Sequence, residues 1–195
     1  MNDPLNTGYF SAQELLDLGF AGVGKNTMLA RNCTVIGREH IQLGSNTRID
    51  GPTVIVAGKA GVSIGNYVHI GGGCHLAGRD GISMADFSGL SQGVRIYSVT
   101  DNYAGGSFTN PTVPAAHLKL ISGPVRLEKH VIIGAGSVIL PSVTVGEGAS
   151  VGALSLVNRS LEAWTVNSGV PARKLKARIV IDPDGSIERE LLAKC

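Results

Sequence analysis

The sequence predicts an all-β chain wound as a parallel β-helix, and three observations predict it. An aliphatic residue returns every sixth position at Leu127, Ile133, Ile139, Val145, Val151 and Val157. Six matches neither the 3.6-residue period of a helix nor the alternation of a long strand. The 195 residues include 27 glycines but only 16% charged and 5% aromatic residues, a mixture suited to tight turns and short strands. Finally, the six-step occurs on both sides of a single break at 97–124, so one array carries one excursion.

The earlier coils follow in order. Val23, Leu29, Val35 and Ile41 are six apart; after a two-residue slip come Leu43, Ile49 and Ile55. Ile64, Ile70, Leu76 and Ile82 continue, and Met84, Leu90 and Ile96 follow a second slip. A small residue usually succeeds the aliphatic, as at Gly24, Gly44, Gly65, Gly71, Gly134 and Gly152, where a sharp corner is expected. The fifth position of the late repeats is also small or β-branched: Val131, Ser137, Val143, Ala149 and Ser155. In a hexapeptide β-helix each aliphatic points inward and stacks on its equivalent in the next coil, so each repeat is stable only with neighbours.

The ends differ. "SAQELLDLGF" offers Ser11 as N-cap, Glu14 three residues on and Gly19 as a stop, a capping-box helix of about two turns placed to cover the open first coil. "PARKLKAR" is basic and is expected to leave the helix; "IVIDPDGSIERELLAKC" reads as strand, turn and short helix. The chain thus divides into a cap (1–20), a β-helix domain (21–170) with the 97–124 loop, and a C-terminal extension (171–195).

The net charge of +2 implies neither nucleic acid nor an anionic membrane as partner. Cys33, Cys74 and Cys195 are odd in number and widely spaced, which argues against a disulfide framework or a cysteine zinc site. The N-terminus has no basic segment followed by an apolar one, and no apolar run reaches a membrane-spanning length. A cytoplasmic protein is expected.

The break, "YSVTDNYAGGSFTNPTVPAAHLKLISGP", is rich in turn residues and is flanked by regular coils. A long loop on a rigid array points to function. Together with "ADFSGLSQGVRIYS", "KHVIIGAGSVILPSVTVGEGASVGALSLV" and "SGVPARKLK", it resembles the left-handed β-helix sugar acetyltransferases, in particular the VioB-like nucleotide-amino-sugar N-acetyltransferases. The resemblance spans roughly residues 20–178. It implies a left-handed helix, a homotrimer, acetyl-CoA as co-substrate without a required metal, and acetylation of an amine on a nucleotide-linked sugar such as dTDP-4-amino-4,6-dideoxyglucose, in surface polysaccharide biosynthesis.

Related galactoside-type enzymes carry a catalytic His in this loop; here Thr100-Asp101-Asn102-Tyr103 stands instead. An amine is a better nucleophile than a hydroxyl, so positioning supplies much of the rate and a strong base matters less. Asp101 is the first candidate to orient the amine and take its proton, and a turn-capping role is its alternative. His69 is the second catalytic candidate, reached from a neighbouring subunit; His75 lies six residues on, on the adjacent face, and His117 and His130 receive no role. The matching loop implies that Asn102, Tyr103 and Asn110 contact substrate. Ala135 and Ala153 fall where the family holds the pantetheine arm with backbone groups. Arg173, Lys174 and Lys176 would meet the CoA phosphates, while Arg48 and Arg79 are candidates for the nucleotide. Three other readings stay open: sugar O-acetylation, which the missing His disfavours; a zinc-dependent γ-type carbonic anhydrase; and a trimeric scaffold without catalysis.

Overall fold

The computed structural model describes residues 7–195; residues 1–6 of the cap, with the start of the segment read for a leader, lie outside the described residues. Its short strands form three parallel sheets that make the faces of a triangular prism, a left-handed parallel β-helix. Face 1 stacks Leu29, Ile49, Ile70, Leu90, Ile133 and Val151 in register. Face 2 stacks Val35, Ile55, Leu76, Ile96, Ile139 and Val157. Face 3 stacks Val23, Leu43, Ile64, Met84, Leu127 and Val145. From Leu43 to Val157 every one of these side chains is almost wholly buried. The small fifth-position residues, Val131, Ser137, Val143, Ala149 and Ser155, are buried beside them.

The chain runs through faces 3, 1 and 2 in turn, and the register explains the slips. Every step from face 3 to face 1 and from face 1 to face 2 is six residues. The step from face 2 to face 3 varies: eight residues from Val35 to Leu43, nine from Ile55 to Ile64 and eight from Leu76 to Met84. At the next coil it becomes the whole excursion, from Ile96 to Leu127. All the irregularity is therefore at one corner. Ile41 and Ile82, which the six-step also reached, enter face 3 at this corner and are buried two residues ahead of Leu43 and Met84.

The corner from face 3 to face 1 is built differently. Asn26, Asn46, Tyr67, Phe87, His130 and Trp164 all adopt positive φ there, a conformation costly for side-chain-bearing residues. Their side chains answer the cost by stacking along the prism. Asn26 donates to Asn46 at 3.0 Å, and the rings of Tyr67, Phe87 and His130 stack at 5.2 Å centroid spacing. Gly148 occupies the next rung because a Cβ there would lie 2.3 Å from the Trp164 ring, which leans over it towards His130.

The ends close the prism. The helix Ala12–Asp17 carries the expected capping box, Ser11 with Glu14, and buries Leu15 against the first coil. Strand Tyr9–Phe10 pairs antiparallel with Met28–Ala30 and covers the edge of face 1. At the other end the expectation fails twice. "PARKLKAR" does not leave the prism: Ala172–Ala177 folds back antiparallel on Thr165–Gly169 and completes face 1. Residues 178–181 are then no strand, because that pairing already fills the edge. The chain instead turns back along the stacked corner. Arg178 donates to the carbonyls of His130 and Gly148 at 3.0 and 2.9 Å, and Tyr67 Oη donates to Leu191 O, in the helix Ser186–Leu192, at 2.9 Å.

Ile139 sits at 0% exposure in the middle of face 2. An Ile139→Asp variant should lose several kcal/mol, since an unpaired carboxylate would enter the aliphatic column. Circular dichroism melting is the check; a native melting curve would disprove this register.

Candidate active site

The excursion is not a structureless loop. Val99–Asp101 and Leu120–Ser122 form a two-stranded antiparallel ladder, an arm projecting from the face 2–face 3 corner. Asp101 ends its outgoing strand, and its Oδ1 accepts the Asn110 backbone N–H at 3.3 Å. Asn102 forms a local turn, accepting from Ala104 N and donating to Gly105 O, both at 3.0 Å. Asn110, at φ 70°, accepts from Thr112 N and Oγ1. These asparagines hold the arm tip in shape. Tyr103 and Phe108 stand out from it, 88% and 66% exposed. At the arm's root a hollow of about 590 Å³ is lined by Tyr97, Thr100, Tyr103, Ile121, Val138 and Leu140.

His69 lies elsewhere, pointing outward from face 1. Its Nε2 is 2.9 Å from Asp50 Oδ2, while Asp50 Oδ1 accepts from Tyr9 Oη and Arg48 Nε, each at 2.7 Å. Partial burial works against ionisation of Asp50, but the hydrogen bonds from His69, Tyr9 and Arg48 outweigh it and hold the carboxyl down to about 2. Arg48 is thus committed to a carboxylate. His75 lies on face 2, tilted against Tyr97 at 5.8 Å, and His117 meets Phe108 edge-on. Face 2 separates His69 from Asp101 within one chain.

Beside His69 is a hollow of about 350 Å³, with Ser91 on its floor and Arg178 and Ile181 of the returning C-terminal segment along one side. Ser91 follows inward-facing Leu90 at the face 1–face 2 corner, where other coils have Gly71, Gly134 and Gly152. That substitution in a glycine register is a legible signal, and reading the six-step alone passes over it.

Ala135 and Ala153 occupy the same corner in consecutive later coils, where Ala135 O accepts from Leu154 N at 2.8 Å. Among the described residues no acceptor meets the backbone N–H of either alanine. The corner therefore offers successive unpaired backbone donors about 4.8 Å apart, the rung spacing of a sheet. Arg173, Lys174 and Lys176 follow on the strand that completes face 1; Lys174 Nζ pairs with Glu162 at 2.7 Å and Arg173 donates to Ala172 O.

Comparison with known proteins now adds a family. Residues 124–159 match the family model "Bacterial transferase hexapeptide (six repeats)". An Escherichia coli dTDP-4-amino-4,6-dideoxy-D-glucose acyltransferase is 39% identical over 170 residues, 87% of this chain and 88% of that one. The chain belongs to the hexapeptide-repeat acyltransferases. AntD, an N-acyltransferase from Bacillus cereus solved with dTDP and 3-hydroxybutyryl-CoA, superposes with a TM-score of 0.87 at 38% identity, covering 97% of this chain and 98% of that one. A variant of AntD with dTDP-4-amino-4,6-dideoxyglucose and coenzyme A gives 0.89 at 37%, covering 98% and 100%. This hexapeptide-repeat chain is an acyl-CoA-dependent transferase. No helix among the described residues is long and apolar enough to cross a membrane.

The Asp50 cluster makes a pH prediction for this acyltransferase. A carboxyl held near 2 when folded contributes stability at neutral pH, and that contribution disappears as acid protonates it in both states. Asp50→Asn should cost on the order of 2 kcal/mol at pH 6. The gap between variant and unaltered protein should close between about pH 4 and pH 2. Urea unfolding at a series of pH values measures it, and a pH-independent gap would contradict it.

Proposed function

We propose that the protein is a homotrimeric enzyme that transfers the acetyl group of acetyl-CoA to the amino group of a nucleotide-linked amino-deoxy sugar, dTDP-4-amino-4,6-dideoxyglucose being the type of acceptor. We place it in the cytoplasm, in the assembly of surface polysaccharide. The observation that carries the reading is the near-full-length likeness to an acyltransferase named for that sugar and to AntD solved with it.

Packing supports a composite site between subunits. The face 3–face 1 corner is covered by the chain's own C-terminal segment, which leaves the other two corners for neighbours. The arm exposes Tyr103 and Phe108 as contacts in search of a partner. Asp101 from one subunit and Ser91 with His69 from the next can then attend one sugar, under a closed three-fold arrangement. AntD variants altered at one serine and at an aspartate ten positions later have been solved. Ser91 and Asp101 are ten apart, and no other aspartate in this chain has a serine ten positions before it.

The chemistry is one substitution at a thioester. The neutral amine attacks the carbonyl carbon, a C–N bond forms, the C–S bond breaks, and CoA leaves as thiolate. The amine's lost proton goes to the Asp101 carboxylate and from there to the thiolate. Amides at the Ala135–Ala153 corner hold the pantetheine arm, Arg173, Lys174 and Lys176 attract the CoA phosphates, and Asn102, Tyr103 and Asn110 set the arm against the sugar.

Free-thiol release from acetyl-CoA in the presence of dTDP-4-amino-4,6-dideoxyglucose tests the reading. Asp101→Asn, which keeps size but removes the basic group, should lower kcat by roughly 10- to 1000-fold. No thiol release by the unaltered protein would overturn the assignment of activity. Full activity of Asp101→Asn would leave Asp101 only its hold on Asn110.

A further inference from the structure

Three polar side chains stand on consecutive rungs where face 1 runs into the face 1–face 2 corner. Asp50 follows inward-facing Ile49, His69 precedes Ile70 on the next rung, and Ser91 follows Leu90 on the rung after that. Gly71 and Gly89 add no side chain beside them, and a Cβ at Gly89 would meet only His69 O, at 3.5 Å. The imidazole, 56% exposed, therefore has Asp50 on one side and the hollow with Ser91 on the other. Tyr9 Oη and Arg48 Nε already fill Asp50 Oδ1, which leaves Oδ2 to His69 Nε2 at 2.9 Å. Asp50 is held down to about 2, and an ionised carboxylate only accepts, so at neutral pH Nε2 carries the proton. In the neutral ring Nδ1 is then the acceptor, and among the described residues it meets no donor.

We propose that Asp50 is a positioning residue for the transfer: it fixes His69 as the Nε2–H tautomer, so that the Nδ1 lone pair is offered to an N–H or O–H donor of the sugar bound in the hollow with Ser91. The inference rests on the amino-sugar acceptor given under Proposed function. Asp50 does not itself line the hollow and acts through the ring. Its surroundings make Asp50→Asn a sharp probe. Tyr9 and Arg48 both donate at the Oδ1 position, so the oxygen of the new amide stays there and its NH2 takes the place of Oδ2. That NH2 donates to Nε2, which moves the ring proton to Nδ1 and turns the acceptor offered to the sugar into a donor. Exchanging one oxygen for nitrogen thus reverses the polarity of the ring while keeping its place.

A nitrogen spectrum and steady-state kinetics of the full chain test this together. Long-range proton–nitrogen NMR of histidine-labelled protein at pH 8, with His69 assigned by its loss in His69→Asn, should show Nε2–H in the unaltered protein and Nδ1–H in Asp50→Asn. Tyr9→Phe, which removes a different bond of Asp50, should keep Nε2–H and stay within about two-fold of the unaltered kcat/KM. Asp50→Asn should lower kcat/KM for the amino sugar by roughly 10- to 100-fold, the effect of losing one hydrogen bond and leaving its partner unpaired, with the KM for acetyl-CoA within about two-fold. His69→Asn should cost as much, and adding Asp50→Asn to it should cost nothing further, because the two act as one unit. Nδ1–H in the unaltered protein would overturn the proposal. So would multiplying losses in the double variant, or a loss in Tyr9→Phe equal to that in Asp50→Asn. Full activity of His69→Asn would overturn it too, and that result does not depend on Asp50→Asn folding. No thiol release by the unaltered protein would sink the transferase reading, while the spectrum would still decide the tautomer.

Discussion

Each coil of the prism must return to the same rung, because a strand one residue out of register would turn its aliphatic to solvent and its polar residue into the column. That constraint governs the molecule. Two of the three corners obey it with an unvarying step of six, and the third absorbs every extra residue. The arm is the extreme case of a corner already loosened in the three coils before it. Function can therefore be inserted there without disturbing the stack. The arm with Asp101 sits at this corner for that reason.

The regular corners have their own uses. At the face 3–face 1 corner, positive φ is demanded on every coil, and side chains tolerate it by stacking in a column of Asn, Tyr, Phe, His and Trp. The returning C-terminal segment then clamps this column. Glu188 meets both Lys129 and His130, whose Nε2 lies 3.2 Å from it, and Arg178 bridges two rungs of carbonyls. The face 1–face 2 corner keeps backbone donors at Ala135 and Ala153 that meet no acceptor among the described residues. One corner is thus sealed, one offers amides and one carries the arm.

The fold was legible because the six-step is a consequence of inward stacking, and a buried column leaves the same residue type at each return. Ser11 and Glu14 announced their helix because a capping box is local. The slips were visible, but their common corner was not, since only pairing partners reveal which face each strand joins. The C-terminal strand was misplaced because "IVI" has the composition of a strand while "ARKLKA" has the open edge to pair with. Asp101 could be singled out from its position in the excursion. Ser91 left its mark as a serine in a glycine register, which the six-step alone passes over; the Asp50 cluster could not be read, because it brings together residues from different coils.

The central claim is that a working site takes its arm from one subunit and its face 1 from another. Mixed trimers test it directly. Asp101→Asn disables the arm and Ser91→Phe obstructs face 1, so each homotrimer should be nearly inactive. Unfolding the two together in equal amounts and refolding them should regain about a quarter of the unaltered activity, the share of interfaces that pair an intact arm with an intact face under random closed assembly. Activity no higher than that of the parent variants, in trimers shown to be mixed, would contradict the account.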